Sequence, residues 1–291
     1  NGAKTPLTAE STMPYSDYEV YANWSADYYF LKVYVNDSYS PSDTYALVNV
    51  AGLNLNSESK ESYADGVITL KVFVDKDDST FGTQALQRVI NNLSRNNYTI
   101  LGFGLSQLIE NNLVVYTASN FNMPEKDLSL YVLWEGNSYN LTIASEDGTI
   151  ERKTYTLIFD QYFTLPGEDD FVKDGYTLTG FRGRSTTYGV KENVLNLTDA
   201  TLYAVFEANE YVINFASNNQ SAYGQIESIV ATYDKDVALL GNSFTLRGYT
   251  QIGWSLDKLA LPTDTDKIIA INATIRNLAM GGEVTLYAIW A

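Results

Sequence analysis

Arg247–Trp254 reads RGYTQIGW, and Val284–Trp290 reads VTLYAIW. This ordered pair decides the fold, because it returns along the chain. DGYTLTGF (Asp174–Phe181) is followed by ATLYAVF (Ala200–Phe206), and NNYTILGF (Asn96–Phe103) by MPEKDLSLYVLW (Met123–Trp134). The closing phrase alone stands near the start, as MPYSDYEVYANW (Met13–Trp24). Each closing phrase is a polar turn, then an alternating strand, then Tyr-x-x-aromatic. A pair of motifs recurring in fixed order is the signature of tandem modules.

Working outward from the two phrases, each closing aromatic is followed within a few residues by another alternating stretch. These are SADYYFLKVYVND, SYNLTIA around Leu141, and EYVINFA around Val212. A further strand follows each: VITLKVFV from Val67, KTYTLIF from Lys153 and SIVATY from Ser228. A module therefore reads as four or five strands with loops between them. The expected boundaries are 1–24 for the closing end of a truncated repeat, 25–136 for an enlarged module, 137–209 and 210–291. Starting on such a truncated repeat, the chain reads as a piece of a longer protein.

The enlarged module carries an insertion at Asn36–Gly66, rich in Ser, Asp, Asn and Glu, with one expected strand at Tyr45–Val50. It also carries the best helix signal, TQALQRVINNLSRN, where Leu86, Val89, Ile90 and Leu93 form one apolar stripe. Thr83 is the expected N-cap and Asn96 or Asn97 the stop. A weaker helix is expected at Asn272–Met280. Strands that outnumber helices, with at most one crossover helix per module, indicate a β-rich α+β class.

Composition narrows the chemistry. The 291 residues include 23 tyrosines, no cysteine and no histidine, and carry a net charge of −16. Tyrosine together with Val, Ile and Thr favours strands. Without cysteine there is neither a disulfide nor a thiolate nucleophile. Without histidine the commonest general base at neutral pH is missing. The negative charge disfavours nucleic acid and anionic lipid as partners. No apolar run reaches the length of a membrane helix, so membrane insertion is not expected.

The paired phrases resemble the Listeria–Bacteroides repeat, also called the internalin B-type repeat, of bacterial surface proteins. RGYTQIGW with VTLYAIW, and DGYTLTGF with ATLYAVF, carry the resemblance best. Phe103, Phe181 and Phe206 stand where the family usually has Trp. The resemblance implies tandem small β-grasp-like modules in an elongated array. It also implies an extracellular place on the bacterial cell surface and service as stalks or adhesive segments rather than as enzymes.

Several groups have residue types that suit binding. The aromatic positions Trp24, Trp134, Phe206, Trp254 and Trp290 suit sugar stacking or, better, anchoring of small cores. Asp75, Asp77 and Asp78, and the run Glu168–Asp170, have oxygen ligands that suit calcium but lack the spacing of a calcium loop. Arg182 and Arg184 suit a carboxylate but read as surface charge. No catalytic, cofactor-binding or metal residue is assigned. The expectation is a non-enzymatic extracellular repeat segment of a bacterial surface protein, a stalk, spacer or adhesive array without cofactors. Its partners would be other protein chains or surface glycans, with self-association open. Two alternatives stand beside it: a subunit of a self-assembling surface layer or filament, and a carbohydrate-binding protein using the insertion.

Overall fold

A computed structural model describes residues 8, 12, 27–36, 45–74, 80–107, 115–239, 241 and 244–291. The chain divides into two compact units, one ending at Asn137 and the other spanning Ser138–Ala291. The protein is β-rich with few helices, and its class is α+β. Trp24 and the rest of the first closing phrase lie outside the described residues, as do Asp75, Asp77 and Asp78.

The first unit holds one large sheet. Its strands are β1 (Tyr28–Tyr34), β3 (Ser62–Ala64), β4 (Val67–Phe73), β6 (Tyr98–Gly104) and β7 (Leu128–Gly136), in the order β3-β4-β1-β7-β6. The short strands β2 (Leu47–Val48) and β5 (Leu93–Ser94) pair separately. Helix α1 (Val50–Leu53) lies in the insertion and α2 (Thr80–Ile90) crosses over between β4 and β6. The second unit holds two large sheets. One contains β8 (Ser138–Ala144), β9 (Lys153–Ile158), β11 (Tyr176–Arg182), β12 (Thr187–Gly189) and β14 (Thr201–Ala208), in the order β12-β11-β14-β8-β9. The other contains β15 (Glu210–Ala216), β16 (Ile229–Thr232), β18 (Gln251–Ser255) and β20 (Gly282–Trp290), in the order β16-β15-β20-β18. Beside them the ribbons β10 (Phe163–Thr164) with β13 (Asn193–Val194), and β17 (Val237–Ala238) with β19 (Thr274–Ile275), pair off.

The three sheets share a plan. In each, the first strand pairs antiparallel with the second and parallel with the last, and the GYT strand pairs antiparallel with the last. A parallel central pair needs a long crossover, and everything between the second and last strands supplies it. The registers agree as well. Ile100, Leu178 and Gln251 face Trp134, Phe206 and Trp290, and Phe103, Phe181 and Trp254 face Val132, Ala204 and Ala288. One residue bulges between those two pairs in every sheet.

This geometry explains the glycines of the GYTxxG phrase. The residue before Tyr sits in the left-handed region, at φ 64 for Asn97, 75 for Gly175 and 82 for Gly248. Glycine reaches that region without strain, and Asn is the side chain that tolerates it best. The later glycine is required for another reason. A returning segment bridges the next residue, pairing Phe103 with Tyr116, Phe181 with Tyr188, and Trp254 with Ile269. A Cβ on Gly180 would stand 2.4 Å from the Tyr188 carbonyl oxygen, and one on Gly253 would stand 2.6 Å from that of Ile269.

Each sheet has one buried face. In the first, Leu31, Val33, Ile68, Leu70, Val72, Leu130 and Val132 meet Leu86 and Val89 of α2. The second has no helix there, and Leu165, Phe171 and Val194 close the core instead. In the third, Leu239 and Phe244 do the same work.

Three local expectations change. The strand expected at Tyr45–Val50 is confined to Leu47–Val48, and Val50 opens α1. Helix α2 begins three residues before Thr83 and stops at Ile90, because Leu93 leaves the helical stripe to pair with Val48 in β5. Asn272–Met280 is not a helix. Thr274–Ile275 forms β19, and Asn277 turns left-handed at φ 57, which ends any helix.

Candidate functional site

The first sheet differs from the other two on its outer face. Strand alternation sends Tyr28, Phe30, Lys32 and Tyr34 of β1 away from the core, beside Phe73 and Lys71 of β4 and Tyr131 of β7. The rings interact: Tyr28 meets Phe30 edge-on at 5.9 Å and Phe73 at 6.4 Å, and Tyr34 stacks on Tyr131 at 4.7 Å. The Lys71 ammonium lies 3.6 Å from the centre of the Tyr28 ring, a cation–π contact. Tyr28 is 46% exposed and Phe73 40%, so the cluster is open to a partner. Phe73 also meets Phe81 of α2, beside a shallow cleft lined by Leu70, Lys71, Gln84 and Arg88. The register places Ser138, Asn140, Thr156 and Ile158 at the positions of Tyr28, Phe30, Lys71 and Phe73 in the second sheet, and Glu210, Val212, Val230 and Thr232 in the third, while Tyr203 and Tyr287 keep the Tyr131 position opposite Ala144 and Ala216.

Beside this cleft the insertion is tied down by a charged pair. Glu61 is buried and takes both Arg88 nitrogens, at 3.1 and 3.0 Å. It also accepts the backbone N–H groups of Asn56 and Lys71. Arg88 reaches on to the carbonyls of Leu53 and Asn54. Burial pushes the Glu61 carboxyl up, but Arg88 and the two backbone donors outweigh it and hold the group below its ordinary range. The insertion's composition suits polar recognition more than core packing, and most of its described residues are exposed, with a few apolar exceptions. Leu53 is fully buried, Ala46 joins the core, and Val48, Leu55 and Tyr63 pack against it, while Tyr45 is exposed. Tyr39 lies outside the described residues.

The other candidates are dispersed. Trp254 is wholly buried and Trp134 is 8% exposed, while Phe206 and Trp290 are half-buried against their cores. Trp134 donates its indole N–H to Val35 O at 2.9 Å, and Trp290 donates to Ser217 O at 2.8 Å. Val35 and Ser217 are the same position relative to the parallel pair. These rings pack as anchors of their own cores. Glu168–Asp170 forms a 3-10 turn in which Asp170 accepts the Gly167 N–H. Arg182 pairs with Glu146, and the Arg184 N–H donates to Asp199. Among the described residues no three acidic groups gather to hold a metal ion.

One constellation escaped the sequence reading. Asp160 and Asn196 exchange two 2.7 Å hydrogen bonds, Asp160 N–H to Asn196 Oδ1 and Asn196 Nδ2 to Asp160 Oδ1. Asp234 and Asn277 repeat the exchange at 2.6 and 2.7 Å. The residue after each Asn, Leu197 or Leu278, donates its N–H to the Tyr139 or Tyr211 hydroxyl. The signal was present as Asn-Leu ahead of both TLYA strands. These clamps are structural, joining the end of the second strand to the approach of the last.

No family model matches the chain. The chain is 28% identical over 153 residues to a "putative Gly-rich membrane protein" of Evansella cellulosilytica. That match covers 48% of this chain but only 18% of the relative's length. Among the described residues no helix is long and apolar enough to cross a membrane, which says nothing of strand-built spans.

Proposed function

We propose that this chain is a non-enzymatic, extracellular repeat segment of a bacterial envelope protein, in which β-grasp-like modules space or present a binding region. The observation that carries the reading is the repetition itself. Three sheets use one strand order, one register and one bulge, with the indole contact recurring in the first and third. The relative described as a membrane protein, of which this chain matches 18%, supports an envelope setting. Within the second unit the one-residue junction Asn209 leaves little slack between its two large sheets.

A second reading adds adhesion. The aromatic outer face of the first sheet favours it, because the equivalent faces of the other two are largely polar or aliphatic. Open rings beside an ammonium suit a glycan or a protein surface. The test of the main reading uses antibody raised against the purified chain and intact cells of the source organism. Labelling of unlysed cells that disappears after external protease supports it. Signal found only after lysis would refute it. For the second reading, Tyr28→Ser with Phe73→Thr should abolish adhesion and leave surface labelling unchanged.

A further inference from the structure

The link between the second and third sheets is a single residue, Asn209, and all of its polar groups are engaged. Its N–H donates to Gly175 O at 2.9 Å, and its carbonyl accepts the Tyr233 N–H at 2.9 Å. Its Oδ1 accepts the Thr177 hydroxyl at 2.6 Å, and its Nδ2 donates to Met280 O at 2.8 Å. Gly175 immediately precedes the second sheet's GYT strand and Thr177 lies within it, whereas Tyr233 and Met280 belong to the third module. The junction residue is therefore fastened on both sides.

A second contact runs alongside. Tyr176 donates its hydroxyl to Asp234 at 2.8 Å, and its ring meets Tyr233 edge-on at 5.7 Å. Asp234 is itself held by Asn277. The fit depends on Gly175, where a Cβ would stand 2.4 Å from the Tyr233 ring. Gly248 has the same left-handed conformation in the third sheet, yet a Cβ there would meet nothing within 4 Å. The two glycines share a backbone requirement, and only Gly175 carries the additional contact.

We propose that Asn209 and the Tyr176–Tyr233–Asp234 contact form a coupling that holds the second and third modules in one orientation, so that the pair moves as one stiff body. Two bonded sides on one residue remove the freedom of a one-residue linker, and a packed ring pair beside it resists twisting. The coupling follows from the contacts alone and stands whether or not the chain serves as a spacer.

The chain has no cysteine, so nitroxide labels at Thr156→Cys and Val230→Cys in the full chain are unique. These are equivalent exposed positions on β9 and β16. Pulsed electron-spin distance measurement should give one narrow distribution. Asn209→Ala should broaden it, and Gly175→Ala should shift or broaden it. Gly248→Ala should leave it as in the labelled parent. A broad distribution in the parent would overturn the proposal without any variant. So would a parent-like distribution in folded Asn209→Ala and Gly175→Ala chains alike, or a change in Gly248→Ala equal to that in Gly175→Ala.

Discussion

Trp254 is buried with no hydrogen-bond partner for its indole N–H among the described residues, while Phe103 and Phe181 fill the same position in the other sheets. An unsatisfied buried donor costs about 1–3 kcal/mol. Trp254→Phe removes that donor and also some packing volume. The two effects oppose, so the variant should lie within about 1 kcal/mol of the parent, whereas Trp254→Ala should lose about 3–5 kcal/mol. Denaturant unfolding of the full chain measures both. Trp134→Phe should behave differently, because its N–H has a partner in Val35, and a loss of about 1–3 kcal/mol is expected. Glu61 gives a pH test. Its folded-state carboxyl titrates below its ordinary range, so its contribution is complete above the unfolded pKa and is lost as pH falls through the folded one. Stability of the first unit should decline on acidification below about pH 4.5, and more steeply in the parent than in Glu61→Gln. Equal slopes would show that the pair with Arg88 carries no weight.

At the scale of the element, the later glycine of each GYT strand makes a clear prediction. Gly180→Ala would drive its methyl into the Tyr188 carbonyl, and backbone cannot move aside as a side chain can. The variant should lose the β11–β12 pairing, read as faster amide exchange at Thr187–Gly189. The strands themselves were legible in sequence, because period-two alternation and the paired phrases point the same way. The crossovers were less so. Ile275, Leu278 and Ala279 have helical spacing and do pack on the third core, but Asn277 is claimed by Asp234, and that tertiary bond overrides local preference. The insertion misled for a related reason. Its polar composition hid Leu53, a fully buried residue that the Asn49 cap and the Glu61–Arg88 pair hold in the core. The outer aromatic face could not be seen as a cluster, since its members come from strands far apart in the chain.

For the whole molecule, the account rests on three copies of one four-stranded plan with a parallel central pair. Differences between the copies lie in the crossover, a helix in the first and short ribbons in the second and third, and in the insertion between the first copy's β1 and β4. The two central strands are paired on both sides in each sheet and carry fully buried residues, Leu31, Val33 and Leu130 in the first, Leu141, Ile143 and Leu202 in the second, Ile213 and Leu286 in the third, so those strands should be the last to open in each copy. Amide hydrogen exchange across the full chain tests this most directly. The account predicts three separate maxima of protection, at β1 with β7, β8 with β14 and β15 with β20, with the edge strands β9 and β16 exchanging faster. A chain in which one of these three pairs exchanged as fast as the surrounding loops would contradict the common plan.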